Sequence, residues 1–472
     1  MRIKIVTGNK SVLMSILGVV LCCSFFAFFT IAFCSTDKYM ILCLLPLVFG
    51  LFSLFFCECY SLIGKSITIT LLVAILFLKN IIMPLIMSFC TTATISSVNT
   101  EPKLTYAVFL LIYEQLAVFG TIYYNIPRMK KWIFNKPIKE YAISKVHLKW
   151  FIRIVVLLAL IIIVLLVAYP LLSVFYRIGV SGDTNTNIEL ARRRILMSEA
   201  VPMIPRYMFA VFAELLRWMV PIVVTLKLYL SKLKNWLKVI LSMGIAVCVA
   251  LIVSDTVATS LFIVISIFFL VYRLYKGNGS GLVIISSVGV VIFAVMALFI
   301  KSFGSGVETF KIDEIAGVLQ AYFSGPDNVA ITAMIDEPVT ISQIFGDVFG
   351  FIPFVMHFFK NLPNTRILFN TVFWGTTGIE TQIIPMISQG ARYFTPILAP
   401  IFTILVVQCS LVWEKRVYEK RELLHCVILI IACVCFSMGV GMYSASLIMQ
   451  QFFAYIFPLF FLYRFISTFF RQ

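Results

Sequence analysis

Residues 152–174 read IRIVVLLALIIIVLLVAYPLLSV, an apolar run interrupted by a single charge. A helix of about 20 apolar residues crosses roughly 30 Å of hydrocarbon, so this run predicts a transmembrane helix. Because backbone polar groups find no water inside a bilayer, repeated runs of this kind predict an all-α, polytopic membrane protein with about twelve transmembrane helices. The other runs that we interpret in this way cover residues 12–34, 40–61, 67–90, 105–124, 207–229, 239–254, 257–273, 282–300, 395–413, 424–442 and 447–465.

The composition excludes a soluble globular domain. Hydrophobic residues make up 61% of the 472 residues and the mean hydropathy is +1.03, which is more apolar surface than a soluble core can hide. The 12 cysteines lie almost wholly inside the apolar runs, where we interpret them as small buried residues rather than as disulfides or metal ligands. We therefore expect a single membrane domain over residues 1–472, with no metal and no cofactor.

The distribution of charge predicts the orientation of the chain. Most of the 38 basic residues fall in alternate loops, and most of the 21 acidic residues fall in the other loops. This is the positive-inside pattern of membrane proteins, so the net charge of +17 does not indicate nucleic-acid binding. The pattern predicts that the N- and C-termini are cytoplasmic. It also predicts a main cytoplasmic loop at residues 125–151 and large external loops at residues 175–206 and 301–394.

Residues 301–394, called the long loop below, are the largest predicted extramembrane segment and the place where we expect any chemistry. The loop carries three candidate general bases, Asp347, His357 and Glu380. His357 lies in IFGDVFGFIPFVMHFFK (residues 344–360), and a lone histidine among phenylalanines is more often a packing residue than a base. Glycine and proline interrupt this stretch, so we expect it to lie at the membrane interface or to act as a lid.

Arginine is concentrated on the predicted external side of the membrane. Orientation in the bilayer requires only charge, whereas a planar guanidinium donates two parallel hydrogen bonds that suit phosphate oxygens. This enrichment favours a site for a phosphate or diphosphate. A solvated face is the alternative for the run at residues 192–194. The candidate diphosphate-binding residues are Arg192, Arg193, Arg194, Arg217, Arg366 and Arg392.

Charged residues inside the apolar runs are expected to form ion pairs. Lys79 and Glu114 lie near the middle of the third and fourth runs, where an isolated charge costs several kcal/mol. Pairing across neighbouring helices is the simplest account. Glu214 and Arg217 lie three residues apart in the sixth run and therefore share a helix face. A proton path or a binding residue is the alternative for the first pair, and exposure of Arg217 in a water-filled cavity that opens outward is the alternative for the second.

Two segments and the overall plan resemble a known family. The segments are KNIIMPL at residues 79–85, and TQIIPMISQGARYFTPILAPIF at residues 381–402, where the long loop leads into a membrane helix. Together with about a dozen helices and one dominant external loop late in the chain, they resemble the Wzy-type polymerases of O-antigen and capsular polysaccharide. The resemblance covers most of the chain in architecture and is specific at the residue level in the second segment.

The resemblance implies a membrane glycosyltransferase in the bacterial cytoplasmic membrane. The donor and acceptor would be oligosaccharide repeat units on undecaprenyl diphosphate, joined on the outer face of the membrane. Membrane lipid, a chain-length regulator protein and a flippase are the implied partners. The clustered arginines would neutralise the leaving diphosphate, and Asp347, His357 or Glu380 would act as the base.

Three other functions remain open, of which a sensor or structural membrane protein would not need the external arginines. A flippase or other transporter for lipid-linked oligosaccharides would use intramembrane charges to line a polar path, but we would expect it to have short loops and two related halves. An O-antigen ligase would use the same donor and a similar plan. The sequence lacks a phosphate-binding P-loop, an HExxH zinc motif, a CxxC pair and a GxSxG elbow, so we expect no nucleotide hydrolysis by this chain.

Overall fold

The computed structural model describes residues 8–90, 96, 98–134, 142–175, 177–178, 201–253, 257–275, 312–349, 365–376 and 382–469. Several sequence predictions lie outside these residues. They are the predicted helix at residues 282–300 and the candidate site residues Arg192, Arg193, Arg194, His357 and Glu380.

The described residues are helical apart from loops and one short pair of strands. The strands β1 (Arg177–Ile178) and β2 (Ile252–Val253) are antiparallel. Single-turn elements interrupt the helices: 3₁₀ turns at Ile41–Cys43, Cys57–Leu62, Pro170–Phe175 and Pro396–Leu398, and π turns at Leu78–Ile82 and Phe452–Ile456. The α-helices are α1 (Gly8–Cys34), α2 (Asp37–Met40), α3 (Leu44–Phe55), α4 (Ile67–Phe77), α5 (Met83–Met87), α6 (Glu101–Phe134), α7 (Lys145–Ala168), α8 (Met203–Leu230), α9 (Asn235–Ala250), α10 (Val257–Tyr275), α11 (Ile312–Phe323), α12 (Pro326–Thr332), α13 (Ile341–Phe349), α14 (Thr365–Trp374), α15 (Met386–Tyr393), α16 (Ile401–Glu419), α17 (Leu423–Met442), α18 (Ala445–Gln451) and α19 (Phe457–Phe469).

A polytopic membrane protein is confirmed. Within the described residues, nine helical segments are long and apolar enough to cross a membrane. Two further predicted helices correspond to α9 and to the Thr259–Tyr275 part of α10, which are apolar but shorter. The nine segments are Leu13–Cys34, Asp37–Phe55, Ile67–Met87, Glu101–Phe134, Lys145–Ala168, Met203–Leu230, Pro396–Glu419, Leu423–Met442 and Ala445–Phe469.

Some helices begin at the edge of the apolar run, whereas others extend beyond it. The hydroxyl of Ser66 accepts a hydrogen bond from the backbone N–H of Ile69, so α4 begins where the sequence predicted a helix. In contrast, α6 continues to Phe134 and α7 begins at Lys145, so much of the predicted cytoplasmic loop at residues 125–151 is helical. Hydropathy identifies only the part of a helix that can lie in lipid, and polar turns can extend it.

The chain divides into two compact units. Unit 1 comprises Met1–Ile138, Phe310–Tyr418 and Cys433–Gln450. Unit 2 comprises Lys139–Thr309, Glu419–Ala432 and Gln451–Gln472. In unit 2, α7 packs against α8, and α9 packs against both α8 and α10.

Unit 1 contains the described part of the long loop, which forms the short helices α11 to α15. None of these described helices is long enough to span a membrane. They pack on membrane helices of the same unit, because α12 contacts α6 and α11 contacts α5. An apolar cluster that includes Ile331, Phe369 and Phe373 joins α12 to α14. The long loop is therefore anchored to the membrane helices of unit 1, which fixes the positions of its polar side chains.

Candidate functional site

Asp347 is the centre of a buried polar cluster in the long loop. Its side chain is 2% exposed and lies on α13. The backbone N–H of Thr365 donates to both of its oxygens, at 3.1 and 3.3 Å, and the hydroxyl of Tyr393 donates to Oδ2. Thr365 is the first residue of α14, so the carboxyl group lies at a helix N-terminus, where free N–H groups and the helix dipole favour a negative charge.

Helical spacing aligns the groups around Asp347. Gln343 and Asp347 are four residues apart on α13 and are both buried, as expected for neighbours on one helix face. Gln343 Nε2 donates to Thr365 Oγ1 at 2.7 Å, and this hydroxyl also lies 3.2 Å from the hydroxyl of Tyr393. The carboxyl group of Asp347 is therefore held in one orientation by polar groups from α13, α14 and α15.

Gln389 connects this cluster to the start of α18. Gln389 and Tyr393 are four residues apart on α15, and Gln389 Nε2 donates to the Tyr393 hydroxyl at 3.0 Å. The same amide nitrogen donates to Ser446 Oγ at 2.8 Å, and Gln389 Oε1 accepts from the backbone N–H of Ala445 at 2.8 Å. Both the nitrogen and the oxygen of the Gln389 amide are therefore hydrogen-bonded, and these bonds connect the loop helix α15 to the membrane helix α18.

Burial changes the protonation behaviour of the cluster. Burial raises the pKa of the Asp347 carboxyl group above its ordinary value, although hydrogen bonds from Thr365 and Tyr393 and the charge of Arg392 oppose this change. Burial also lowers the pKa of Arg392 and raises that of Tyr393, and the nearby carboxyl group raises the Tyr393 value further. A carboxyl group with a raised pKa accepts and releases protons closer to neutral pH, which suits a general base or acid.

A small pocket opens beside Asp347. Thr365, Gln389 and Ser446 line it together with Arg366, so Asp347 and Arg366 border one cavity. The space open to the centre of a water molecule is about 10 Å³, which is room for roughly one ordered water. The pocket therefore brings together two candidate site residues that the sequence predicted in the long loop, Asp347 and Arg366.

Arg392 is engaged by the backbone and does not line this pocket. Its two terminal nitrogens donate to the carbonyl oxygens of Ile335 and Glu337, at 3.0 and 2.8 Å. The guanidinium thereby supports the loop that follows α12. Two of its five N–H donors are used in this way, so the structure gives Arg392 a structural contact in addition to the ligand role predicted from sequence.

A second buried carboxyl group, Asp327, fastens the long loop to membrane helices. Asp327 is fully buried and accepts hydrogen bonds from Thr100 Oγ1 at 2.5 Å, Gln320 Nε2 at 2.6 Å and the Tyr39 hydroxyl at 3.3 Å. Thr100 immediately precedes α6, and Tyr39 belongs to α2. All three donors form hydrogen bonds with the Asp327 carboxyl group, so we interpret the Asp327 cluster as an anchor rather than a reactive site.

The intramembrane pairing of Lys79 and Glu114 is present. Lys79 Nζ lies 2.5 Å from Glu114 Oε2, and both side chains are almost fully buried. The adjacent residues also pair, because Gln115 Nε2 donates to Asn80 Oδ1 at 2.8 Å. Lys79 and Asn80 lie in the π turn at Leu78–Ile82, a local widening of the helix that is often found at functional positions.

The pairing of Glu214 and Arg217, three residues apart on α8, is also present in unit 2. Arg217 donates to Glu214 Oε2 at 2.8 Å and to Ser260 Oγ at 2.8 Å. Arg217 is 5% exposed, and these bonds hold its guanidinium within the unit. The predicted role of Arg217 in binding diphosphate stays a prediction, and the contacts describe a cation that already has protein partners.

The neutral members of the Asp347 cluster were not identified from the sequence. The sequence predictions concerned charged residues, whereas these members are uncharged: Thr365, Gln389, Tyr393, Gln343 and Ser446. The spacing of four residues in the pairs on α13 and α15 was a usable signal, and Gln389 and Tyr393 lie in the segment quoted for the family resemblance. In the described part of the chain, no group of three or more His, Cys, Asp or Glu residues is placed to hold a metal ion.

Comparisons with models of protein families, with characterised proteins and with solved structures found no match to this chain.

Proposed function

We propose that this protein is a membrane glycosyltransferase that polymerises lipid-diphosphate-linked oligosaccharide repeat units into a surface polysaccharide. The observation that carries the proposal is the pocket that Asp347 and Arg366 of the long loop share with residues at the start of α18. A glycosyl transfer from a diphosphate donor requires a proton acceptor for the incoming hydroxyl and a cation for the leaving group. The resemblance of residues 79–85 and 381–402 to Wzy-type polymerases supports the same assignment.

In the proposed reaction, Asp347 acts as the general base. The terminal sugar hydroxyl of one repeat unit attacks the anomeric carbon of the glycan held on the other lipid carrier. The new C–O bond forms as the bond from the anomeric carbon to the diphosphate oxygen breaks, and the hydroxyl proton moves to the Asp347 carboxylate. The lipid diphosphate leaves with the bonding electron pair, so the step balances without any change of oxidation state.

Arg366 is the proposed partner of the leaving diphosphate. Its guanidinium can donate two parallel hydrogen bonds to phosphate oxygens, a geometry that lysine cannot reproduce. Because the pocket has room for about one water molecule, a sugar can enter only when the lining segments separate. The contacts that Gln389 makes to Tyr393, Ser446 and Ala445 would hold the closed form.

The transporter alternative rests on the charged residues inside the apolar helices. The ion pairs that these residues form weaken the case for a transporter. Lys79 and Glu114 neutralise each other at 2.5 Å, and Glu214 and Arg217 do so at 2.8 Å. Buried charges that are matched in this way need no polar path to explain them. A ligase would use the same donor and the same two groups, so only the product distinguishes it from a polymerase.

The proposal is tested first by the glycan profile of a bacterial strain that lacks the gene. A polymerase predicts surface glycans limited to single repeat units, and single repeat units that accumulate on their lipid in the outer leaflet. Repeat units retained in the inner leaflet would instead identify a flippase. Full-length polymer that accumulates on its lipid carrier without transfer to another acceptor would identify a ligase.

Two variants then test the assigned residues in that strain. Asp347→Asn should reduce polymer formation by about 10² to 10⁴, the usual contribution of a general base. Arg366→Lys should also lose activity, because it keeps the charge but removes the planar fork. Arg416→Lys, at an exposed arginine on α16, is the matched control and should retain activity. Full activity of Arg366→Lys would contradict the diphosphate role.

A further inference from the structure

A second and larger cleft lies in unit 1, at the ends of three membrane segments. Its lining includes Ala32 near the end of α1, Asp37 at the start of α2 and Leu44 at the start of α3. Glu101 and Leu104, in the first turn of α6, complete this part of the lining. A volume of about 430 Å³ is open to the centre of a water molecule, which is within the usual range for sites that bind small molecules. Three of the candidate membrane segments begin or end here, and the ends of such segments usually lie at the level of the lipid headgroups.

The cleft carries charges at its rim and apolar side chains along its walls. Asp37, Lys38 and Glu101 all line it, and no hydrogen bond or ion pair to another described residue engages these three side chains. Lys38 Nζ lies 4.8 Å from the centroid of the Tyr39 ring, a cation–π contact that leaves its N–H donors available. Two acidic residues and one lysine therefore line the same space, and no ion pair among them is present in the described part of the chain.

The apolar residues that line the cleft indicate a second property of its ligand. Met40, Ile41, Leu44 and Leu104 contribute to its lining, and Met40 is 52% exposed. A soluble polar ligand gains little from such a surface, whereas an acyl chain of a neighbouring lipid packs against it by van der Waals contact without leaving a hydrocarbon environment. A ligand that matches both the charged and the apolar residues of the lining carries an ammonium group, a phosphate group and a hydrocarbon chain.

We propose that this cleft binds one aminophospholipid of the surrounding bilayer, with a headgroup of the phosphatidylethanolamine type. Asp37 and Glu101 accept hydrogen bonds from the primary ammonium group, and Lys38 donates to the phosphodiester. One acyl chain follows the apolar wall beside Met40 and Leu44. The proposal is independent of glycosyl transfer, because it uses none of the residues of the Asp347 pocket.

The test measures lipid retention by the purified full-length protein, using native mass spectrometry in detergent. Phosphatidylethanolamine, phosphatidylcholine and phosphatidylglycerol with identical acyl chains serve as probes. Phosphatidylethanolamine should bind most tightly, because the choline headgroup has no N–H donor and the glycerol headgroup has no positive charge. The isosteric double variant Asp37→Asn/Glu101→Gln should bind phosphatidylethanolamine about tenfold more weakly, as expected for the loss of a charge-assisted hydrogen bond.

Two further variants keep the test informative. Lys38→Gln should weaken retention of phosphatidylethanolamine and phosphatidylglycerol alike, since it removes the phosphate contact. Glu58→Gln, at an exposed carboxylate paired with Lys130, is the control and should leave retention unchanged. The proposal is overturned if the three lipids are retained equally, or if the double variant keeps the preference. It is also overturned if a polyprenyl phosphate is retained in preference to all three, which would assign the cleft to a lipid-linked substrate.

Discussion

Asp347 illustrates how hydrogen-bond donors stabilise a buried carboxyl group and hold it in one orientation. An unpaired carboxylate in a low-dielectric site is costly, so a buried one needs donors directed at its oxygens. Thr365 supplies a backbone N–H from the start of α14, and Tyr393 supplies a hydroxyl. These donors lower the pKa of Asp347, but burial has the larger effect. The pKa of Asp347 therefore remains raised.

The raised pKa predicts how stability depends on pH. A carboxyl group whose pKa is higher in the folded state than in the unfolded state stabilises the fold below its unfolded pKa, about 3.9. That contribution is lost as pH rises through the folded pKa. The thermal unfolding temperature of the wild type, minus that of Asp347→Asn, should therefore fall as pH rises from about 4. Unfolding curves in detergent across this range measure it, and a difference that stays constant or rises would contradict it.

Gly390 provides a second prediction at the scale of one residue. A Cβ atom at this position would lie 2.0 Å from the backbone carbonyl oxygen of Ala399, which cannot move as a side chain can. Gly390→Ala should therefore lower the free energy of unfolding by about 1–3 kcal/mol or more, the usual cost of overpacking. Gly120→Ala on α6 is the matched control, because nothing lies within 4 Å of its Cβ.

The control should be neutral or stabilising by up to about 1 kcal/mol, since alanine favours helix more than glycine does. Thermal unfolding of both variants in the same detergent gives the comparison. Equal stability of the two variants would show that α15 does not approach the Ala399 carbonyl as closely as described.

At the scale of single elements, the helix α4 shows how polar contacts orient membrane helices. Glu414 on α16 is fully buried and accepts hydrogen bonds from Ile67 N at 2.6 Å, Thr68 N at 3.3 Å and Ser66 Oγ at 2.7 Å. These are groups at the N-terminus of α4, where the helix dipole also favours a negative charge. The contact fixes the start of α4 against α16.

At its other end, α4 continues into the π turn that carries Lys79, and this pair allows an element-level test. Lys79→Met alone leaves the buried Glu114 without its counter-charge and should cost about 3–5 kcal/mol. The double variant Lys79→Met/Glu114→Met should recover most of that loss, because an apolar pair of similar volume needs no desolvation of charge. Unfolding free energies of the wild type, both single variants and the double variant measure the coupling.

The same four proteins separate a structural role from a functional one. If the pair only fixes the contact between helices, the double variant should regain polymer formation along with stability. Regained stability without activity would favour a proton path or a binding role for Lys79 and Glu114. A double variant no more stable than Lys79→Met would contradict the ion-pair account.

For the whole molecule, the orientation predicted from charge is open to a direct test. A reporter that is active only in the cytoplasm should be active when fused after Phe134 at the end of α6 or after the C-terminus. A reporter that is active only outside should be active when fused after Trp374 in the long loop. The reverse pattern would place the Asp347 pocket on the cytoplasmic side and would contradict polymerisation on the outer face.

The sequence by itself determined that this is an all-α, polytopic membrane protein, because about 20 apolar residues in a bilayer have few alternatives to a helix. It also predicted which intramembrane charges pair, since a charge such as Lys79 or Glu114 needs a counter-charge nearby. Helix ends were less accessible, as α6 shows, because hydropathy does not record where a polar turn stops. The composition of the Asp347 cluster was decided only by tertiary structure.

The physical reason is that the partners of Asp347 come from separate helices. Thr365, Tyr393 and Gln389 become neighbours only when α13, α14, α15 and the start of α18 pack together. The burial that raises the pKa of Asp347 is likewise a property of that packing. Local sequence specifies which elements can form in a membrane, whereas contacts between distant elements decide which polar groups share a pocket and what chemistry they can support.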